Sequence, residues 1–114
     1  MNYIIYTPSV ARLKKEIVER VTEGADANGK AIVTLKCLDA EGGEKVLVHT
    51  ADQWAEEGCI ALQKDDRSGG LKVRFFYWDS CENQENGDDK YMLGRFTELL
   101  LVHFTYYIDR IVIE

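Results

Sequence analysis

The sequence predicts an α+β protein with a mostly antiparallel sheet of about five to six strands and two main helices packed on one face. The expected order is β-α-β-β-(short α)-β-β-α-β. Three observations lead there. Apolar residues recur at helical spacing in two stretches, one from Val10 and one from Met92. Between them lie two pairs of apolar, partly alternating segments, each pair joined by a turn containing Gly-Gly. Helices that alternate with hairpins, rather than with single strands, favour an antiparallel sheet.

Tyr3–Tyr6 is a short aromatic and β-branched run, as expected of a buried strand. Thr7 and Pro8 follow as an N-cap and a first-turn proline, where the missing N–H costs nothing. Val10, Leu13, Ile17, Val18 and Val21 then form an apolar stripe. Lys14, Lys15, Glu16, Glu19, Arg20 and Glu23 cover the other side, and Glu16 with Arg20 makes a favourable i,i+4 pair. Gly24 and the Asn28-Gly29 turn end the helix.

Ala31–Leu38 and Glu44–His49 read as a hairpin around residues 39–43. Ala31, Val33, Leu35 and Cys37 share one face of the first strand, and Val46 and Val48 one face of the second. Thr50 and Gln53 have capping-box spacing and start a short helix that Gly58 closes, with Trp54 as its anchor. Cys59–Lys64 and Leu71–Trp78 form a second hairpin around residues 65–70. Leu71, Val73, Phe75 and Tyr77 occupy one face; Lys72, Arg74, Phe76 and Trp78 occupy the other. Two aromatics on the nominally outer face imply that a helix or a partner half covers it.

Asp79–Asp89 is a polar loop with five carboxylates and no basic residue in eleven positions. Asp88 or Asp89 is placed to cap the next helix, where negative charge is favourable. Met92, Phe96, Leu99, Leu100 and His103 form that helix's stripe, broadened by Leu93, Phe104 and Tyr107. A break within 105–109 leaves Ile111–Ile113 as a last strand. The two terminal strands are expected to lie centrally or to pair with each other.

Composition narrows the function. A chain of 114 residues fits one domain spanning 1–114, and 46% apolar with 30% charged residues excludes disorder. Apolar runs such as Leu99–Val102 and Ile111–Ile113 fall far short of the roughly 20 residues a membrane-spanning helix needs. The first residues lack the pattern of an export signal. Cys37, Cys59 and Cys81 are odd in number and widely spaced, which suggests reduced thiols and a cytoplasmic location. A formal charge of −6 argues against direct nucleic-acid or anionic-lipid binding and suits a protein partner with a basic surface.

Chemical motifs are weak throughout. The three cysteines, His49 and His103 include no closely spaced Cys pair, so no metal or other cofactor is expected. Cys81 lies among carboxylates that raise a thiol pKa, which disfavours it as a nucleophile. His103 falls on an apolar stripe, where a satisfied core or interface histidine is the natural reading. Asp65-Asp66 and Asp88-Asp89 are what turns and helix starts prefer. Counted from Asp79, Cys81, Gln84 and Lys90 stand where a twelve-residue calcium loop needs an acid or amide, a glycine and a glutamate. Neither Gly42-Gly43 nor Gly69-Gly70 precedes a helix, so neither cradles phosphate. The Phe75–Trp78 run has the aromatics of a base-stacking sheet, but the negative charge favours packing.

These observations favour a small acidic, non-enzymatic binding module of the inhibitor, immunity-protein or nucleic-acid-mimic type. Trp78, Asp79, Glu82, Glu85, Asp88 and Asp89 are its candidate contact residues. A second reading is a small enzyme or ligand binder using His49, Cys81 and His103 in a pocket between sheet and helix. A third is an oligomerising subunit, using the outer face of Leu71–Trp78 or the Phe96–Tyr107 helix; a homo-oligomer is compatible with any of these.

Overall fold

A computed structural model describes residues 2–85 and 87–114. Its elements are β1 (Asn2–Tyr6), α1 (Val10–Glu23), β2 (Leu35–Asp39), β3 (Lys45–His49), α2 (Asp52–Ala55), β4 (Gly58–Lys64), β5 (Leu71–Tyr77), α3 (Asp88–His103) and β6 (Arg110–Ile113). One-turn 3₁₀ segments at Glu41–Gly43 and Thr105–Tyr107 complete the chain. The strands form one sheet in the order β2-β3-β4-β5-β1-β6, and every neighbouring pair is antiparallel. This is the expected α+β architecture, with the terminal strands β1 and β6 paired.

Both long helices cover one face of the sheet. Leu13, Ile17 and Val21 of α1 and Met92, Phe96 and Leu100 of α3 pack on Tyr3, Ile5, Leu47, Ile60, Leu71 and Val73. Each such large side chain, taken from water to full burial, stabilises the fold by about 1.5–3 kcal/mol. The alternate residues Val46, Val48 and Cys59 face the other way and form a second, smaller cluster with Ala40, Ala55 and Trp78. Trp78 therefore partly covers the outer face, as does the Arg74 guanidinium, 4.7 Å above the Phe76 ring.

Several local expectations need correction. Ser9, not Thr7, caps α1: its side chain accepts from the Arg12 N–H at 3.3 Å, and Pro8 precedes the helix. Thr7 and Pro8 are spent on the turn from sheet to helix layer. The first hairpin strand begins at Leu35, because residues 25–32 form a loop closed by the Ala25–Ala31 bridge. Val33 is consequently 70% exposed while Ile32 is buried. Thr50 forms no capping box; its hydroxyl donates to the Val33 and Thr34 carbonyls, and Ala51 precedes α2. At α3 the cap position is Gly87, with φ of 100°, a left-handed conformation that glycine adopts readily. Asp88 and Asp89 lie inside the first turn instead.

Candidate functional site

The second hairpin sets the site's geometry. Gly58 pairs with Tyr77, so the next residues outward, Glu57 and Trp78, come side by side, and the Trp78 N–H donates to the Glu57 carbonyl at 2.8 Å. Gly58 tolerates no side chain there, since a Cβ would sit 2.2 Å from the Phe76 carbonyl oxygen. The Trp78 indole N–H donates to the Ala55 carbonyl at 2.8 Å, fastening the start of the 79–85 loop to α2.

The other end of the loop is fastened by Tyr77 and Asp88. The Tyr77 hydroxyl lies 2.8 Å from the Glu85 carbonyl and 3.1 Å from Asp88 Oδ2, so two acceptors share its one proton. The Glu85 N–H donates to the same Asp88 oxygen at 3.2 Å. Burial, then the hydrogen bond to Asp88, pushes the Tyr77 hydroxyl up to about 12. Glu57 stands against this group: burial first, then the Asp88 charge, holds its carboxyl above the ordinary glutamate range. Its Oε2 is buried with no hydrogen-bond partner among the described residues.

Around this anchored core the surface is acidic. Glu56, Glu57 and Glu82 line a groove of about 380 Å³ between α2 and the loop, with Cys81 in its wall. A second groove, about 540 Å³, runs beside it between Phe76, Trp78 and Asp79. Asp79, Glu82 and Glu85 are exposed, Asp89 is partly buried in the first turn of α3, and Trp78 is half-buried. Asp88, by contrast, is buried, its carboxylate turned inward to hold the loop. The structure thus gathers the loop carboxylates and adds Glu56 and Glu57, which sequence reasoning passed over. The register of the Cys59–Lys64 and Leu71–Trp78 hairpin contained that signal, since it sets residue 57 opposite residue 78.

The other polar candidates are separated. His49 Nδ1 accepts the Ala51 N–H at 2.9 Å, and its ring is 6.2 Å from that of Tyr91, which stacks on Trp54 at 4.1 Å. Burial, then the charge of Arg95, lowers the pKa of His49. His103 lies at the far end of α3, its Nδ1 2.7 Å from Asp26 Oδ2. A carboxylate acceptor there requires the proton on Nδ1. Cys81 opens on the acidic groove, whereas His103 borders a different pocket beside Thr34 and Val102. Among the described residues no three His, Cys, Asp or Glu side chains come together as metal ligands, and no helix is long and apolar enough to cross a membrane. Comparison with known protein families, curated proteins and solved structures returns no match to this chain.

Proposed function

We propose that the chain is a non-enzymatic binding module whose acidic loop, residues 79–85, docks on a basic surface of a protein partner. One observation carries this reading: three exposed carboxylates, Asp79, Glu82 and Glu85, sit on a loop tied at both ends, beside a groove walled by Glu56 and Glu57. A loop held in place in the free protein loses little conformational entropy on docking. Crowded like charges also steer a cationic partner and are relieved by it. Trp78 supplies the apolar wall, and Asp88 is a positioning residue. The formal charge of −6 opposes a phosphate backbone, so the partner is a protein rather than nucleic acid. Three free thiols suit a reducing compartment such as the cytoplasm.

The test is retention of proteins from host lysate on the immobilised chain, beside the variant Asp79→Asn/Glu82→Gln/Glu85→Gln. The proposal expects a basic protein held by the wild type at low salt and lost by the variant. Retention that is indifferent to the three substitutions overturns it.

A further inference from the structure

We propose that two copies of this chain associate edge to edge through β6, antiparallel and with Val112 on the twofold axis. β6 is an edge of the sheet, bonded on one side to β1 and, among the described residues, to no strand on the other. Its register with β1 sets Tyr3 opposite Ile113 and Ile4 opposite Val112, and the Glu114 N–H donates to the Asn2 carbonyl at 3.0 Å. Asn2 and Glu114 are therefore a hydrogen-bonded pair, and antiparallel alternation makes Ile4 and Val112 the next one. Ile111 and Ile113 consequently turn their N–H and C=O groups outward, ready for another strand.

The edge is also apolar where edges are normally defended. Ile113 is 67% and Val112 40% exposed, and Leu101 of α3, which shares a groove with Ile111 and Ile113, is 59% exposed. Natural proteins blunt a free edge with charge, proline or a bulge. The opposite edge, β2, carries Lys36 and Asp39 along its five residues, whereas β6 has an uninterrupted Ile-Val-Ile core.

Charge complementarity selects a second copy as the occupant. Antiparallel pairing about Val112 brings Ile111 opposite the other copy's Ile113, in the correct hydrogen-bonding phase, and does so twice. The same register sets Arg110 opposite the other copy's Glu114, again twice, on the face that bears Val112. A twofold on Ile111 or on Ile113 keeps the phase but opposes Arg110 or Glu114 to Val112. Within one chain the Glu114 carboxylate already lies 3.7 Å from Lys72, so an incoming Arg110 completes a cation pair around it. On the helix side, Tyr3, Thr97, Leu101, Ile111 and Ile113 line an apolar groove of about 440 Å³ that the second copy's edge would close. The contact is isologous, so it stops at two copies.

Sedimentation of the full chain at concentrations on the order of 100 µM, which fill a dimer of micromolar dissociation constant, tests this. The wild type should sediment as a dimer. Arg110→Glu and Glu114→Arg, each alone, put like charges across the seam twice and should weaken the dimer about tenfold or more. An equimolar mixture of the two variants should restore it as a heterodimer, as should the double variant Arg110→Glu/Glu114→Arg. Restoration separates a lost interface from a lost fold. A monomeric wild type, single variants that stay dimeric, or failure of both restorations overturns the proposal.

Discussion

Asp26 and Asp88 are the two buried charged side chains of the described chain, and they are satisfied in opposite ways. Asp26 Oδ1 accepts the Asn28 and Lys30 N–H groups at 2.9 and 2.8 Å, while its Oδ2 meets His103 at 2.7 Å. It joins the loop after α1 to the end of α3 and faces a group that can carry positive charge. Asp88 also receives donors, Tyr77 and the Glu85 N–H, but its neighbour is another carboxyl, Glu57. The same residue type thus closes the fold at one end of α3 and crowds negative charge at the other. Asp26 ties two distant segments of the fold together, whereas Asp88 holds one end of the 79–85 loop beside a second carboxyl.

The largest expected effect of disturbing this pair is at Asp26. Asp26→Ala removes the acceptor for two backbone N–H groups and a histidine at once, and should lower the melting temperature by about 10 °C or more. A melting curve within about 3 °C of wild type would contradict its role. Asp88→Ala loses two donors' acceptor but also relieves Glu57, so the cost should be smaller, about 1–2 kcal/mol by denaturant unfolding. Its local signature is faster amide hydrogen exchange at Glu85, absent from Asp26→Ala.

The two sites should also differ in the sign of their pH dependence. His103, first among the causes, holds the Asp26 carboxyl below the usual range. Its contribution is therefore present above the unfolded aspartate pKa, about 3.9, and lost as pH falls through the lower folded value. Glu57 is raised, so its contribution is present below the unfolded glutamate pKa, about 4.3, and is lost as pH rises through the higher folded value. Glu57→Gln should accordingly raise the melting temperature slightly near pH 7, by about 1–3 °C, with no gain near pH 4. Equal shifts at both pH values would remove the like-charge account of the acidic end.

The fold could be read from the sequence almost entirely because its cues are periodic. The Leu13–Ile17–Val21 and Met92–Phe96–Leu100 stripes and the alternation in Leu71–Tyr77 all report burial against one sheet face. Caps were read less well. Thr7, Thr50 and Asp88 are suitable residue types, but whether each hydroxyl or carboxylate meets an N–H depends on the direction in which the chain enters the helix. The loop's acidity was visible, whereas its anchoring was not. Tyr77 and Asp88 lie eleven residues apart, and only the turn between β5 and α3 brings them within 3.1 Å. The position of His103 on an apolar stripe marked it as a satisfied histidine, but its partner Asp26, 77 residues away, left no signal.

The most direct test of the acidic docking loop is the dissociation constant of the retained partner as a function of salt, for wild type and for Asp79→Asn/Glu82→Gln/Glu85→Gln. The proposed role predicts wild-type affinity that falls steeply with ionic strength, and a variant that binds more weakly with a flatter slope. Equal affinities and parallel slopes would mean that the partner docks elsewhere on the molecule.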